Sequence, residues 1–312
     1  MAAAKASAHE LRSSGLFRIR TMAALAKLLH WKKTPSALRA LCLRPDNWDE
    51  FDLPRPGKKP RKVQAPKQSV KDVQRRLNDL LKRVQPPDYL QSGTPGRSYL
   101  SNSALHMAES GATVTVDIAD FYASVSRKRL FMLFRKVFEC GPDVADAIAG
   151  LMSCRGALAT GSPASALVSF WACKDMFDAI AERAEKQGGR FTLYVDDITL
   201  TASTAGAGDV RFLERHVARY GFRLSAAKSR VYRSSQPKEI TGRVVRHGVS
   251  RAPNRQHLQM QSALRRLDDP RSTKADARSA VGRLEHVALL DLGRGASLRR
   301  KATRVRDRFK DR

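Results

Sequence analysis

Two adjacent aspartates, Asp196 and Asp197, stand between two short apolar segments, 191–195 and 198–201. The flanking segments have the composition of the two strands of a hairpin. An Asp-Asp pair is a poor hairpin turn, because Asn-Gly or Asp-Gly is preferred there. Two like charges side by side also cost energy unless a cation is present. The pattern therefore indicates a metal site, and a solvated Asp-Asp turn is the alternative.

A third carboxylate, Asp117, ends the alternating segment 112–117, in which Thr113 and Thr115 share its face. Asp117 lies 80 residues before Asp197, so the two segments could meet only by tertiary pairing. Three carboxylates together would suit Mg²⁺ or Mn²⁺, and two such ions ~4 Å apart serve in-line phosphoryl transfer. The alternative for Asp117 is a turn residue that ends a strand.

The charge of the chain points to a polyanionic partner. Its 312 residues contain 58 lysines and arginines against 30 aspartates and glutamates, a net charge of +28. Nucleic acid is the favoured partner and an anionic membrane the weaker one, because no apolar segment reaches the about 18 to 20 residues of a spanning helix. We also expect no signal peptide. A P-loop ATPase is excluded, because the chain has no GxxxxGK[ST] motif.

The cysteines indicate a reducing compartment. They are scattered and form no CxxC pair, which argues against a zinc site and against a disulfide framework. We therefore expect a cytoplasmic protein whose cysteines belong to the core. The four are Cys42, Cys140, Cys154 and Cys173.

The apolar spacing predicts an α+β fold, with strands in the middle of the chain and helices on both sides. The Ala-rich segment 1–10 is expected to be frayed, and the Pro- and Lys-rich segment 53–66 to be a loop. Helices are predicted in these places: two within 17–43, one over 69–84, one after the N-cap Ser126, one from 163 to about 184, one over 210–220, and three basic ones from about 255.

In their order along the chain, these segments resemble the motifs of reverse transcriptases, and most of all those of retron-type bacterial enzymes. The resemblance covers roughly residues 58–247. The matching segments are Lys59-Pro-Arg61-Lys-Val-Gln-Ala-Pro66, Arg97-Ser98 with Asn102-Ser-Ala-Leu-His106, Asp117-Ile-Ala-Asp-Phe-Tyr122, Tyr194-Val-Asp-Asp197, Gly221-Phe-Arg-Leu-Ser-Ala-Ala-Lys228 and Ile240-Thr241-Gly242.

The resemblance implies roles for individual residues. The catalytic, metal-binding residues would be Asp117, Asp196 and Asp197. The nucleotide-binding residues would be Lys59, Arg61, Tyr122, Gly161 and Lys228. Tyr122 would exclude a ribose 2′-hydroxyl, Lys59 and Arg61 would contact the triphosphate, and Lys228 would protonate the leaving pyrophosphate. The RNA-binding residues would include Thr241, Gly242, Arg299 and Arg300.

Plainer interpretations of several of these residues stay open. Phe121 and Tyr122 could both be core aromatics, and Lys228 could be an exposed loop lysine. No role follows from the sequence for Asn102 and His106, beyond a buried hydrogen-bonded pair.

One segment departs from the family pattern. The second palm motif of the family is L-P-Q-G-x-P-x-S-P, whereas this chain has Leu158-Ala-Thr160-Gly161-Ser-Pro163-Ala-Ser165-Ala166. Thr160 replaces a glutamine that contacts the nucleotide in the family, and its side chain is shorter. The exchange bears on nucleotide affinity and on activity.

The resemblance implies an RNA-directed DNA polymerase that uses a structured noncoding RNA as template and primer. Synthesis from a 2′-hydroxyl would give a branched RNA–DNA molecule used in antiphage defence, with deoxynucleoside triphosphates as substrates and a separate effector protein as a possible partner. The alternatives are a catalytically weak or silent RNA-binding scaffold, and a group II intron-like or diversity-generating reverse transcriptase.

The architecture that the resemblance implies is a right hand. It has an N-terminal helical region over 1–52, fingers over 53–111, a palm over 112–250 with inserted fingers helices over 127–157, and a basic helical thumb over 251–312.

Overall fold

The computed structural model describes residues 8–55 and 57–310. It divides into two compact units, and each is built from three separate segments of the chain. The first holds the described residues of Met1–Gly96, together with Asp117–Ile180 and Leu213–Ser225. The second holds Arg97–Val116, Ala181–Phe212 and the described residues of Ala226–Arg312. The boundaries of fingers, palm and thumb stay predictions.

The chain begins with two short helices, α1 (Met22–Leu28) and α2 (Pro35–Leu43), as the apolar spacing predicts. Thr21 and Thr34 cap them, because each hydroxyl accepts a backbone N–H at 3.2 Å. The expected fraying of 1–10 is wrong for its described end, where His9 forms a backbone bridge with Val84. Residues 1–7 lie outside the described residues.

The segment predicted as a loop is a hairpin instead. Strand β1 (Trp48–Arg55) pairs antiparallel with β2 (Lys58–Pro66). Proline favours an extended residue before it, and a ribbon of two strands has free edges on which a missing N–H costs nothing. Helix α3 (Gln68–Leu81) follows and ends three residues before the predicted boundary.

The next elements lead to the first carboxylate and to the core of the first unit. They are α4 (Tyr99–Leu105), β3 (Ala112–Asp117), α5 (Phe121–Ser124), α6 (Arg127–Met132), a π-helical turn (Leu133–Val137), α7 (Pro142–Met152), β4 (Ser153–Cys154), β5 (Ala157–Leu158), α8 (Ser165–Ala172) and α9 (Lys174–Lys186). Ser126 caps α6 as predicted. The single helix predicted over 163–184 is two helices, since Cys173 leaves the helical conformation.

Aromatic side chains fill the core of the first unit. Phe134 stacks on Phe138, with ring centroids 5.5 Å apart, and Phe170 stacks on Phe177 at 6.2 Å. The four cysteines are buried and free, as expected, and burial raises the pKa of the Cys42 thiol to about 12. These thiols are therefore core residues and not nucleophiles.

Four strands form the sheet that carries the acidic residues. After β6 (Arg190–Tyr194), β7 (Asp197–Ala202) and α10 (Ala207–Arg219), a 3₁₀ helix (Ala226–Lys228) leads to β8 (Arg230–Tyr232). The order across the sheet is β6-β7-β3-β8. The sheet therefore joins strands that are far apart in the chain.

A smaller sheet and three helices complete the second unit. Strands β9 (Lys238–Ile240), β10 (Arg243–Arg246) and β11 (Val249–Arg251) form the sheet. The three predicted basic helices are confirmed as α11 (Asn254–Arg266), α12 (Lys274–Leu290) and α13 (Gly295–Arg308). They pack around a common apolar core that includes Leu284 and Leu298. The mixture of helices and antiparallel strands is α+β, as predicted.

Candidate active site

The two adjacent aspartates lie at a tight hairpin turn. Tyr194 pairs with Asp197, so Val195 and Asp196 are the two turn residues. The predicted hairpin is confirmed, but its turn is Val195-Asp196 and not Asp196-Asp197, because Asp197 already pairs as the first residue of β7. Val195 has φ +60°, at a position where a two-residue turn normally takes glycine. A β-branched residue in this conformation costs about 1–3 kcal/mol and is kept where the surroundings require it, often at functional sites.

Strand β3 ends at Asp117 and is the neighbour of β7, which begins at Asp197. Within the sheet, the hydroxyls of Thr113 and Thr201 lie 2.7 Å apart. The Asp117 side chain is buried with 5% of the residue exposed, and its carbonyl accepts the N–H of Ser225 at 2.7 Å. The tertiary pairing that the sequence requires between these strands is therefore present.

The three aspartates offer the kind of donor atoms that a divalent metal ion binds. Within residues 8–55 and 57–310, no group of three or more histidine, cysteine, aspartate or glutamate side chains is arranged to hold a metal ion. The donors nevertheless fit Mg²⁺ or Mn²⁺, because carboxylate oxygens at strand ends are hard ligands. Like charges repel without a cation. Asp117, Asp196 and Asp197 as a catalytic, metal-binding set stay a prediction.

The segment that departs from the family pattern contacts the β1–β2 hairpin. The N–H of Gly161 donates to the carbonyl of Gln64 at 3.1 Å. A Cβ at Gly161 would lie 2.4 Å from that oxygen, so only glycine permits this approach. Thr160 donates its N–H to Oε1 of Gln64 at 3.3 Å, and its Oγ1 accepts the Gln64 N–H at 3.3 Å. Gly161 thus has a packing role, and its role in nucleotide binding stays a prediction.

The other predicted nucleotide-binding residues occupy different surroundings. Lys59 and Arg61 are exposed on β2, and Lys228 is exposed on the 3₁₀ helix of the second unit. Tyr122 is half-buried beside Phe121, with ring centroids 5.9 Å apart. Phe121 itself is a core residue, so the interpretation of this residue as a core aromatic is confirmed. The nucleotide contacts of Lys59, Arg61, Tyr122 and Lys228 stay predictions.

The segment Ile240-Thr241-Gly242 forms the turn between β9 and β10. Both turn residues have left-handed backbone conformations, φ +44° for Thr241 and +80° for Gly242. The Thr241 hydroxyl donates to the carbonyl of Tyr99 at 2.8 Å and accepts the side-chain N–H of Asn102 at 3.3 Å. The hydroxyl therefore bonds within the protein, and Arg299 and Arg300 lie exposed on α13. RNA binding by Thr241, Gly242, Arg299 and Arg300 stays a prediction.

Asn102 and His106 are both buried, but the idea that they bond to each other is wrong. Asn102 bonds to Thr241. The His106 ring bonds through Nδ1 to the hydroxyl of Thr201 and through Nε2 to that of Thr192, each at 2.8 Å. Burial, with the nearby charges of Arg190 and Lys238, lowers the pKa of His106 to about 3. The ring is therefore neutral at ordinary pH.

Burial, together with the neighbouring Tyr99 and Asp197, raises the pKa of Tyr194 above its usual value. The phenol beside the aspartate pair is therefore protonated at neutral pH.

Sequence reasoning missed Gln64 and the threonines that surround His106. The available signal was the face of β3 that carries Asp117, because threonines on a face that becomes buried need partners.

Comparisons with known proteins agree with the geometry. The family model described as "Reverse transcriptase (RNA-dependent DNA polymerase)" matches residues 53–245, which is more than half of the chain. This family has the polymerase fold, and its members are nucleotidyltransferases.

Three curated relatives are retron enzymes. The chain is 25% identical over 201 residues to the retron Se72 reverse transcriptase of Salmonella heidelberg (strain 579083-10), which covers 62% of this chain and 53% of that protein. It is 26% identical over 275 residues to the retron Mx162 reverse transcriptase of Myxococcus xanthus, with 78% and 56% covered. For the retron Mx65 enzyme of the same organism the identity is 28% over 213 residues, with 62% and 49% covered.

The chain thus spans about half the length of the curated relatives it matches. Among the described residues, none of the helices combines the length and the hydropathy that crossing a bilayer requires. The match over residues 53–245 confirms the broader resemblance stated from the sequence: the chain belongs to the reverse transcriptase family, and the curated relatives to which it is similar are retron enzymes.

Proposed function

We propose that the chain is an RNA-directed DNA polymerase in which Asp117, Asp196 and Asp197 are the catalytic carboxylates. The observation that carries the proposal is the strained two-residue turn at Val195 and Asp196, in the strand next to the one that ends at Asp117. A metal-binding pair needs a rigid support, and a turn held against its own backbone preference provides one.

The reaction would be a nucleotidyl transfer. A sugar hydroxyl loses its proton and bonds to the α-phosphorus of a deoxynucleoside triphosphate, while the bond to pyrophosphate breaks. Bound Mg²⁺ or Mn²⁺ supplies the Lewis acidity that this step needs. Asp117, Asp196 and Asp197 would hold the ions through their carboxylates.

Residues outside the carboxylate set would bind the nucleotide. Lys59 and Arg61, exposed on the β1–β2 hairpin, would bind the triphosphate. Tyr122 would exclude a 2′-hydroxyl through its ring, and Lys228 would give a proton to the departing pyrophosphate.

The template and primer would be a structured noncoding RNA. The net charge of +28 and the exposed Arg299 and Arg300 on α13 support RNA binding, because phosphate contacts release counterions. We extend the proposal to 2′-hydroxyl priming, a branched RNA–DNA product, antiphage defence and a separate effector, on the likeness to retron enzymes. The four buried, free cysteines support the proposal that the protein acts in a reducing cytosol.

Primer extension tests the catalytic part of the proposal. The full chain is incubated with an RNA template, a DNA primer, one labelled deoxynucleotide and Mg²⁺. We expect incorporation by the wild type and a loss of at least about 10³-fold in Asp196→Asn and Asp197→Asn, since each variant removes charge from the metal site. Asp72→Asn, on the exposed face of α3, is the control.

Thr160 favours a second candidate, a silent RNA-binding scaffold, because it replaces the family glutamine. Under that hypothesis the wild type binds RNA but incorporates no more label than Asp196→Asn does. The third candidate, an intron-like or diversity-generating enzyme, differs in its nucleic acid. Sequencing the nucleic acid that co-purifies with the chain would yield a branched RNA–DNA species only for the retron system.

A further inference from the structure

A buried network of side chains connects the three strands that carry the acidic residues. His106, just after α4, bonds to Thr192 on β6 and to Thr201 on β7, each at 2.8 Å. Thr201 also bonds to Thr113 on β3, with the two hydroxyl oxygens 2.7 Å apart. One imidazole ring thus holds two strands directly and the third through a threonine.

The spacing relates this network to the ends of the strands. Thr113 is four residues before Asp117, and Thr201 is four residues after Asp197. Because side chains alternate along a strand, each threonine shares a face with the aspartate of its own strand. The network therefore lies on the carboxylate face of the sheet, about 13 Å along it from the strand ends.

Burial makes the network selective for one arrangement of the strands. His106 and the three threonines are each exposed by at most 1%. A buried polar group without its partner costs about 1–3 kcal/mol. A slip of one residue in any strand would turn its threonine to the opposite face. The register observed here is therefore the one in which all four side chains are satisfied.

The segment before β3 is fixed by further contacts within the same unit. The buried Lys238 ammonium donates to the carbonyl of Gly111 at 2.8 Å and to that of Glu109 at 3.3 Å. Arg190 on β6 donates to the Glu109 carboxylate at 2.6 Å. A Cβ at Gly111 would lie 2.4 Å from the carbonyl oxygen of Ala202, the last residue of β7. Strand β3 therefore begins at a fixed point beside the end of β7.

We propose that His106 is a positioning residue for nucleotidyl transfer: it fixes the register of β6, β7 and β3 and so the placement of the carboxylates at their ends. The inference rests on the proposed polymerase function. His106 touches no reacting atom, because both of its ring nitrogens bond to threonines. It acts through the strands that it joins.

The test compares His106→Ala and His106→Gln with the wild type in two measurements. The first is primer extension, with kcat and KM for the deoxynucleotide and the Mg²⁺ concentration for half-maximal rate. The second is Mn²⁺ binding, followed by electron paramagnetic resonance, with Asp197→Asn as the reference for a lost site. Ser250→Ala is the matched control, because it removes a buried hydroxyl of the same unit that bonds to Arg243 and to the Leu290 carbonyl.

We expect His106→Ala to lower kcat by about 10- to 100-fold, because small misplacements of catalytic groups are costly. The Mg²⁺ requirement should rise and Mn²⁺ binding should weaken, while KM for the nucleotide stays within about threefold. Added imidazole should restore part of the rate to His106→Ala. His106→Gln should retain part of it, because an amide also donates and accepts. Ser250→Ala should lower only the melting temperature.

The outcomes separate this inference from the function on which it rests. If His106→Ala and His106→Gln melt at lower temperature but keep the wild-type kcat, Mg²⁺ requirement and Mn²⁺ affinity, His106 is merely structural and the inference is overturned. If the wild type incorporates no nucleotide, the proposed function fails, and Mn²⁺ binding still decides whether His106 positions the carboxylates. Should His106→Ala fail to fold, His106→Gln decides in both measurements.

Discussion

Gln64 and Thr160 bond to each other twice, although 96 residues separate them. The N–H of Thr160 donates to Oε1 of Gln64, and the N–H of Gln64 donates to Oγ1 of Thr160, each at 3.3 Å. The threonine hydroxyl also donates to the carbonyl of Lys62 at 3.4 Å. The residue that replaces the family glutamine therefore anchors the hairpin that carries Lys59 and Arg61.

Replacement of Gln64 by alanine should weaken nucleotide binding. The change removes the acceptor of the Thr160 N–H, and one hydrogen bond is worth about 1 kcal/mol. We expect KM for the deoxynucleotide to rise about fivefold, with a smaller change in kcat, because the hairpin and its cations lose a fixed position. Steady-state primer extension measures both. The control is Gln68→Ala at the exposed start of α3, and an equal rise of KM in both variants would contradict the prediction.

Replacement of Gly161 by alanine should displace the hairpin from this loop. The new Cβ would meet the Gln64 carbonyl oxygen at 2.4 Å and the Cα of Ala65 at 3.1 Å, and both are backbone atoms. We expect the free energy of unfolding to fall by about 1–3 kcal/mol, together with nucleotide affinity. Urea unfolding measures the first. In Gly282→Ala, by contrast, the Cβ meets nothing within 4 Å, so that variant should gain about 0.5–1 kcal/mol of helix stability.

Stability should fall in acid partly because of His106. Its folded-state pKa is about 3, well below the usual value of 6.5. Below about pH 6.5 the unfolded chain takes up a proton that the folded chain refuses, so folding loses up to about 1.4 kcal/mol per pH unit until pH 3. Urea unfolding at pH 7, 6 and 5 should show a steeper decline for the wild type than for His106→Gln. Parallel declines would show that the ring is not buried in its neutral form.

Substitution of Thr241 should affect the stability of the protein, whereas substitution of Arg299 and Arg300 should affect its affinity for RNA. Thr241→Val removes the hydroxyl, so the Tyr99 carbonyl and the Asn102 side-chain N–H lose their bonds to it. We therefore expect a loss of about 1–3 kcal/mol of stability with little change in affinity for a structured RNA. Arg299→Gln with Arg300→Gln should keep stability, lower the affinity, and reduce the slope of log K against log salt by about 1 to 2. Filter binding at several salt concentrations measures the slope. An unchanged slope in the double variant would exclude both arginines from the RNA surface.

The sequence predicts elements well where local pattern and environment agree. Strand β3 alternates cleanly and Ser126 lies where a helix cap belongs, so both are correctly placed. The β6–β7 hairpin is also predicted, with its turn displaced by one residue. The β1–β2 hairpin is missed, because its prolines and cations are typical of a loop, whereas a free two-stranded ribbon tolerates both. Local spacing also gives no reason for the helix break at Cys173.

The candidate site, too, could be predicted only in part from the sequence. Asp196 and Asp197 are visible in the sequence because adjacent like charges between apolar segments are unusual, and Asp117 is visible because it ends an alternating strand pattern. The partners of His106 are not visible, since Thr192 and Thr201 lie 86 and 95 residues away and nothing in a linear pattern specifies which buried hydroxyl meets which ring. The role of Gln64 could not be predicted for the same reason, because it depends on a contact with the distant Thr160.

Each compact unit is built from three segments that alternate along the chain. This arrangement has a consequence for synthesis on the ribosome. The unit that begins the chain includes Leu213–Ser225, so it cannot close before that last segment has been translated. At the usual ~5–20 residues per second, the wait after Gly96 is on the order of ten seconds. During this interval the core of the first unit is incomplete, and the apolar surface that it leaves exposed is of the kind that chaperones bind.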